Sequence, residues 1–248
     1  MSKIKNEYIV KENEIHIWDF NIEPSENLAA LYFNDLSEVE KNKSNEIKIK
    51  DVKYRSIISK VIAKNILSKY LGININQITF AYNKFGKPTI FPNINHFNLN
   101  FNISHSFHMG IIALTKQNLI GIDIERIIAL KDMDDIINLC FNDYEINRLS
   151  CLRNPSKMMI FYKIWTGKEA FVKAIGQGLT FPLKNIAFDF DNDMGINLKY
   201  IKNYPDSLTK WKIYNFSPQE NYTSTLAVKN DSIQIKRFKW NHLNNIEN

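Results

Sequence analysis

The amino-acid sequence predicts an α+β fold built from two related subdomains. Some stretches carry apolar residues every three or four positions, as helices do, and others alternate apolar and polar residues, as strands do. Each half of the 248 residues runs from strand to helices and back to strands, and the plan restarts near residues 116–120. We therefore expect an N-terminal subdomain of residues 1–118, a C-terminal subdomain of residues 119–248, and an active site in the cleft between them.

The first half opens with a strand or strand pair within Tyr8–Phe20, and a helix begins near Pro24. Residues 37–50 are polar and rich in lysine, which is typical of a solvated helix or loop. Asp51 is the expected N-cap of a long helix that ends at Leu71, because apolar residues recur there with helical spacing and a glycine follows as a stop.

Strands complete the first half and open the second. A strand is expected over Ile78–Tyr82, with a turn after it at Asn83–Pro88. Residues Phe97–Ile103 alternate strictly, with apolar side chains on one face and asparagine or serine on the other. Two further apolar strands are expected over Met109–Thr115 and Leu119–Glu125.

Helices dominate the middle of the second half. Asp132–Cys140 and Asp143–Leu152 have helical spacing, and Asn154 followed by Pro155 is a typical helix start. That last helix is expected to end at Ile175, before a glycine. Strands are expected near Ile186–Phe190, Trp211–Phe216, Thr223–Val228 and Ile233–Arg237, with a polar tail from Asn241.

The composition is that of an ordinary globular protein whose basic charge either attracts an anionic partner or forms a solvated surface without a specific partner. The hydrophobic fraction is 44%, the charged fraction is 23% and the formal net charge is +6, so nucleic acid, anionic lipid, a phosphorylated molecule or an acidic protein would all be attracted. The two cysteines are too few for a disulfide framework. No apolar run is long enough for a membrane span or a signal peptide, so we expect a cytoplasmic protein.

The segment Gly121–Glu125 is the first candidate for chemistry. Residues two apart on a strand share a face, so Asp123 and Glu125 should point the same way. Two neighbouring carboxylates repel each other, and a hard cation such as Mg²⁺, which takes oxygen ligands, would relieve that repulsion. The residues alone leave a second interpretation open, namely an edge strand with a solvated acidic face.

A second candidate lies on the helix that runs to Ile175. Trp165, Glu169 and Lys173 are spaced four apart and share one face, with Lys168 beside it. An exposed Glu–Lys surface pair is the simple alternative. The tryptophan on the same stripe argues for partial burial, and a partly buried charged pair needs partners.

Two weaker candidates lie in the first half. Ser104 and His105 end the alternating strand, where adjacent residues face opposite ways, so they are poorly placed as nucleophile and base. A lone histidine is more often structural. The turn at Gly86–Pro88 carries Lys87, and Arg55 adds a cation on the long helix. No phosphate loop, dinucleotide fingerprint, zinc-ligand spacing or nucleic-acid motif occurs.

These segments, taken in order, resemble one known family, the Sfp-type 4'-phosphopantetheinyl transferases. The matching segments are FGKP at 85–88, NISHS at 102–106, GIDIE at 121–125 and WTGKEAFVKAIGQGL at 165–179. The resemblance implies two α+β halves related by a pseudo-twofold axis. It also implies transfer of the phosphopantetheine arm of coenzyme A, the co-substrate, to a serine hydroxyl of a carrier protein, with release of adenosine 3',5'-bisphosphate.

The resemblance further implies a role for each matching position. Asp123, Glu125 and Glu169 would be the ligands of Mg²⁺, for which Mn²⁺ would substitute, and Lys173 would contact the pyrophosphate. Asp123, Glu169 and Lys173 would therefore form the catalytic group. The serine proton would go to Glu169 or to a water on the metal, and the sequence leaves both open. The remaining contacts to coenzyme A would come from Lys43, Arg55, Gly86, Lys87, Pro88, Ser104, His105 and Lys168.

The match departs from the family at one place. The family often has two lysines three apart before the arginine, where this chain has Lys43 and Glu40. Lys41 is a substitute after a small shift, so the contact to the 3'-phosphate stays open between Lys41 and Lys43.

The resemblance also implies a partner and a rival interpretation. The partner is an acidic acyl or peptidyl carrier protein, with neither nucleic acid nor membrane involved, and the natural carrier stays open. The size and the two halves favour a monomer that acts, by analogy, on carriers of antibiotic and other secondary metabolism. The rival interpretation is a degenerate homologue that binds coenzyme A without transferring anything.

Overall fold

The protein is described from a computed structural model. The structure describes residues 8–116, 119–191, 193–202, 210–229 and 233–241. The described residues divide into two compact units. Unit 1 takes its residues from 1–83, 88–117 and 234–248, and unit 2 takes its residues from 84–87 and 118–233. Helices and sheets are mixed in both units, so the predicted α+β class is confirmed.

Unit 1 contains a four-stranded sheet, a two-stranded hairpin and three helices. Its strands are β1 (Glu14–Asn21), β2 (Phe80–Tyr82), β3 (Pro88–Ile90), β4 (Leu99–Ser106), β5 (Met109–Lys116) and β11 (Gln234–Trp240). Its helices are α1 (Glu26–Phe33), α2 (Glu38–Glu46) and α3 (Lys50–Leu71). The larger sheet has the strand order β11-β1-β5-β4, and β2 pairs with β3.

Unit 2 is organised around one long helix. Its strands are β6 (Ile120–Arg126), β7 (Ile186–Phe190), β8 (Ile196–Ile201), β9 (Lys212–Phe216) and β10 (Tyr222–Val228). Its helices are α4 (Met133–Cys140), α5 (Asp143–Ser150) and α6 (Ser156–Ile175). The antiparallel sheet β6-β10-β9 packs against α6, and β7 and β8 form a separate hairpin.

Each unit has its own apolar core. In unit 1 one face of α3, including Ile58, Ile62 and Ile66, packs with aromatic side chains of β1 such as Trp18 and Phe20. In unit 2 the apolar face of α6 packs with side chains of α4, α5, β7 and β8. Burial of these apolar surfaces is the main favourable contribution to folding.

Several helix boundaries differ from the sequence-based expectation. Helix α3 begins at Lys50 after Ile49, which makes no side-chain capping bond, so the predicted N-cap at Asp51 is wrong. Asp51 lies instead in the first turn, where a carboxylate interacts favourably with the positive end of the helix. Helix α6 likewise begins at Ser156, one residue after the position expected for Pro155. The predicted stop at Gly72 is confirmed, with the left-handed φ of 65° that glycine adopts readily.

The last strand is the largest departure in organisation. The sequence-based division puts residues 234–248 in the C-terminal subdomain, whereas β11 pairs in parallel with β1 of unit 1. Two ion pairs join the strands, Lys236–Glu14 at 2.8 Å and Arg237–Asp19 at 3.3 Å. A parallel pairing between the two ends of a chain is non-local, so local pattern does not predict it.

Among the described residues, no helix is both long and apolar enough to cross a membrane.

Candidate functional site

Helix α6 lies unusually close to strand β6. A Cβ atom at Gly121 would stand 1.9 Å from the carbonyl oxygen of Ala170 and 2.4 Å from the backbone nitrogen of Ala174. Only glycine therefore allows the helix and strand backbones to approach this closely. The close contact brings the side chains on the same face of β6, including Asp123, directly under α6.

Three predicted site residues meet where β6 and α6 pack. The ammonium group of Lys173 donates a hydrogen bond to Asp123 Oδ1 at 2.6 Å, and Asp123 is buried. Burial raises the pKa of Glu169, and the negative charge of Asp123 raises it further, while Lys173 lowers it. Glu169 Oε1 is buried and has no hydrogen-bond partner within the described part of the chain. The predicted partial burial of the stripe Trp165–Glu169–Lys173 is confirmed.

Glu125 shares the strand face of Asp123, as predicted, and is half-buried. Its cross-strand neighbour on β10 is Thr223, and the neighbour of Asp123 is Thr225. Among the described residues, no three Asp, Glu, His or Cys side chains stand together as a preformed metal cluster. The three predicted magnesium ligands therefore lie on neighbouring parts of β6 and α6 but do not form such a cluster.

Lys168 is placed differently from the expectation. Its side chain is 0% exposed, its ammonium group pairs with Glu145 at 2.7 Å, and it donates hydrogen bonds to the carbonyl oxygens of Leu183 and Ile186. Burial lowers the pKa of Lys168 and raises that of Glu145, and the ion pair opposes both shifts. A buried ammonium group with all three protons committed has none left for a phosphate. Lys168 therefore cannot make the expected contact with a phosphate in this arrangement.

The turn that contains Gly86 and Lys87 is tied to the same helix and strand. Gly86 has a φ of 86°, which favours glycine. The ammonium group of Lys87 donates hydrogen bonds to the carbonyl oxygens of Ile120, at the start of β6, and Ala174, near the end of α6, both at 3.1 Å. Burial lowers the pKa of Lys87 to about 8. Pro88, the third residue expected in this loop, begins β3.

In unit 1, Arg55 and His105 lie near the same end of the β4–β5 hairpin. His105 is exposed near the end of β4 and Ser104 is buried on the opposite face, so their predicted opposition is confirmed. The guanidinium carbon of Arg55 lies 5.8 Å from the centre of the Phe107 ring in the turn that follows. Arg55 Nε is buried with no hydrogen-bond partner among the described residues.

The segment that departs from the family pattern has a structural explanation. Glu40 forms a capping box with Ser37 at the start of α2 and pairs with the buried Lys64 at 3.3 Å. A residue with these two structural partners is not replaced by a lysine without loss. Lys43 lies 3.8 Å from the centre of the Tyr82 ring, and Lys41 pairs with Glu38.

Family models match both halves of the chain. The model of the 4'-phosphopantetheinyl transferase superfamily matches residues 119–227. The model described as 4'-phosphopantetheinyl transferase, N-terminal, matches residues 11–117. A relative, the 4'-phosphopantetheinyl transferase gsp of Aneurinibacillus migulanus, is 30% identical over 169 residues, which are 68% of this chain and 67% of that protein. The chain belongs to the 4'-phosphopantetheinyl transferase superfamily.

Two further similarities accompany this membership. The 4'-phosphopantetheinyl transferase HetI of Nostoc sp. is 27% identical over 216 residues, covering 87% of this chain and 88% of that protein. Among solved structures, a holo-(acyl-carrier-protein) synthase from Bacillus anthracis in complex with CoA (3',5'-ADP) is 19% identical, with a TM-score of 0.36. That similarity covers 44% of this chain and 93% of the synthase.

A group of hydroxyl and amide side chains beside the candidate site was not identified from the sequence. Thr223 and Thr225 stand opposite Glu125 and Asp123, and both accept hydrogen bonds from Asn215 on β9. The two-residue spacing of these threonines on a predicted strand shows that they share a face. The pairing register that sets them opposite the carboxylates is non-local, so the sequence does not reveal it.

Proposed function

We propose that this chain transfers the 4'-phosphopantetheine arm of coenzyme A to a serine hydroxyl of an acyl or peptidyl carrier protein and releases adenosine 3',5'-bisphosphate. The observation that carries the proposal is the group of Asp123, Glu169 and Lys173 where β6 packs on α6, in a member of the transferase superfamily. Two carboxylates and a lysine are suited to a cation and a pyrophosphate, which carries several negative charges.

The donor set fits magnesium. Carboxylate oxygens are the ligands that Mg²⁺ prefers, and it needs only a few of them beside substrate phosphates. Glu169 Oε1 is buried and has no hydrogen-bond partner in the part of the chain that the structure describes, and the negative charge of Asp123 disfavours the charged form of Glu169. A cation would relieve both costs. We propose that Asp123, Glu125 and Glu169 hold Mg²⁺, or Mn²⁺ in its place, which when bound offsets charge on the pyrophosphate.

The residues of the chain then act on the reacting groups. The serine oxygen forms a bond to the β-phosphorus of coenzyme A, and the bond from that phosphorus to the leaving bisphosphate oxygen breaks. Lys173, held by Asp123 at 2.6 Å, offsets the charge that grows on the leaving group. The serine proton needs an acceptor, and the candidate is a carboxylate oxygen of Glu169 that does not hold the cation.

Residues of unit 1 are proposed to hold the rest of coenzyme A. Arg55 and His105 lie near one end of the β4–β5 hairpin and are proposed to bind the 3'-phosphate together with Lys43 or Lys41. A guanidinium group suits a phosphate because it offers several donors in one plane. Ser104 is proposed to contact the pyrophosphate.

The turn at Gly86, Lys87 and Pro88 is proposed to lie near the adenine. The bonds from Lys87 to the backbone of β6 and α6 support the shape of that turn.

The net charge fits the proposed partner. A formal charge of +6 attracts an acidic carrier domain and accelerates its encounter with the enzyme. We also propose that the enzyme is a cytoplasmic monomer that acts on carriers of secondary metabolism.

The test is transfer from fluorescent coenzyme A to a carrier domain. Asp123→Ala should abolish labelling while circular dichroism and the melting temperature stay those of a folded protein. Asp134→Ala on the exposed side of α4 is the matched control and should label the carrier at the wild-type rate. Full activity of Asp123→Ala would reject the metal assignment, and no labelling by the wild-type protein with Mg²⁺ would reject the transfer.

A further inference from the structure

A row of polar side chains crosses the sheet β6-β10-β9 beside the acidic site. Asn215 on β9 stands opposite Thr225 on β10, which stands opposite Asp123 on β6. Thr223, two residues before Thr225, stands opposite Glu125. Residues directly opposite each other in a sheet point to the same face, so the row shares the face of the two carboxylates.

The amide of Asn215 has only one possible orientation. Its Nδ2 atom lies 3.0 Å from the hydroxyl oxygens of both Thr223 and Thr225, and 3.1 Å from the carbonyl oxygen of Ser224. A backbone carbonyl only accepts hydrogen bonds, so the reversed amide would place two acceptors against each other. The amide therefore donates, and both threonine hydroxyls are oriented by it.

The hydroxyl proton of Thr225 is committed to helix α6. Thr225 Oγ1 lies 2.8 Å from Thr166 Oγ1, and Thr166 donates its own proton to the carbonyl oxygen of Lys163 at 3.0 Å. Since Thr166 has one proton and has used it, Thr225 is the donor between the two threonines. A directed chain thus runs from Asn215 through Thr225 and Thr166 to the backbone of α6.

Thr223 is the member whose proton is not used within the row. It accepts from Asn215, and its side chain is 1% exposed, so water does not readily satisfy its proton. A buried hydroxyl without an acceptor is costly. Its cross-strand neighbour on the same face is Glu125, and directly opposed residues have Cβ atoms about 4.5–5.5 Å apart.

We propose that Thr223 and Asn215 are positioning residues for Glu125: Asn215 orients the hydroxyl of Thr223, and Thr223 donates its proton to the Glu125 carboxylate. The inference rests on the proposed function, because Glu125 is taken as a ligand of the divalent cation. Hydrogen bonds to metal-binding carboxylates orient them, and their loss typically weakens metal affinity by about 10–100-fold.

The test measures Mn²⁺ binding directly, by the loss of the free-ion signal in electron paramagnetic resonance, with coenzyme A present and no carrier protein. Thr223→Val removes the hydroxyl at nearly constant shape and should weaken Mn²⁺ affinity by about 10–100-fold. Thr223→Ser keeps the hydroxyl and should restore wild-type affinity. Asn215→Ala frees the Thr223 hydroxyl to rotate and should weaken affinity less than Thr223→Val does.

A buried threonine in unit 1 supplies the matched control. Thr115 on β5 donates to the carbonyl oxygen of Glu14, so Thr115→Val also loses a buried hydroxyl and should bind Mn²⁺ as the wild type does. Wild-type affinity in Thr223→Val, or in Asn215→Ala if Thr223→Val does not fold, would overturn the inference. Failure of the wild-type protein to bind Mn²⁺ would overturn the metal assignment as well, so the two failures are distinguishable.

Discussion

Replacing Lys168 by methionine removes an ammonium group from the interior of unit 2. The lysine side chain is 0% exposed and its Nζ lies 2.7 Å from Glu145 Oε2. Methionine has a similar length and no charge, so the substitution leaves little empty space. What remains is the carboxylate of Glu145, fully buried and without its counter-charge.

The cost follows from the partners that lose the ammonium group. Removing one member of a buried ion pair typically destabilises a protein by about 3–5 kcal/mol. After the substitution, Glu145 still accepts a hydrogen bond from the backbone N–H of Asn142. The carbonyl oxygen of Ile186 still accepts one from the side-chain amide of Asn142, whereas the carbonyl oxygen of Leu183 loses its donor, Lys168. We therefore expect the lower end, about 3 kcal/mol, which is a large share of a typical total of roughly 5–15 kcal/mol. The melting temperature should fall by roughly 6–12 °C.

The assay is urea unfolding of Lys168→Met beside the double variant Lys168→Met/Glu145→Gln. The second substitution neutralises the stranded carboxylate, so the double variant should regain part of the lost stability. Recovery is incomplete because both oxygens of Glu145 accept from backbone N–H groups, of Asn142 and Phe188, and a glutamine amide has only one oxygen to accept with. Lys157→Met, which removes a half-buried surface lysine of α6 paired with the exposed Asp134, is the control and should change the free energy of unfolding by less than about 1 kcal/mol.

Coenzyme A kinetics decide between the structural role and a phosphate contact. If Lys168 is structural, Lys168→Met should keep the wild-type KM for coenzyme A at a temperature where it is folded. A variant as stable as the wild type, with a KM for coenzyme A that rises sharply, would refute the structural reasoning and restore the phosphate contact.

Three further outcomes are expected. Gly121→Ala should lower the free energy of unfolding by about 1–3 kcal/mol or more and reduce transfer, measured by urea unfolding and carrier labelling, because its Cβ would meet Ala170 O at 1.9 Å. Lys87→Met should lower the melting temperature and Lys87→Arg should restore it, since two carbonyl oxygens lose their donor. The ion pair with Lys236 lowers the pKa of Glu14 from 4.5 to about 2. The wild type should therefore lose stability relative to Glu14→Gln as pH falls from 4.5 towards 2, and calorimetry that shows a constant difference would contradict this.

The sequence predicts the core of the site because its signals are local. The two-residue spacing of Asp123 and Glu125 places them on one strand face, and the four-residue spacing of Glu169 and Lys173 places them on one helix face. The structure brings Asp123, Glu169 and Lys173 together. Gly121, which allows this approach, is present in the sequence, but the sequence does not show which helix packs against it.

What the sequence does not predict depends on non-local packing. Lys168 lies beside the functional stripe of α6, and only the packing of that helix shows that it points into the core towards Glu145. Strand β8, with exposed side chains such as Asn197 and Tyr200, lacks the apolar pattern of a buried strand and was not expected. Thr223 and Asn215 gain their place from strand register, which the turns and pairing of the whole sheet set.

We propose that this chain moves a phosphopantetheine arm to a carrier serine with the acidic group on β6 and α6. The most direct measurement is mass spectrometry of an apo carrier domain incubated with the protein, coenzyme A and Mg²⁺. With the wild-type protein, the carrier mass should increase by one phosphopantetheine, on the serine alone; with chelator or with Glu169→Ala it should not change. An unchanged carrier mass with the wild-type protein and Mg²⁺, across fatty-acid, polyketide and peptide carriers, would contradict it.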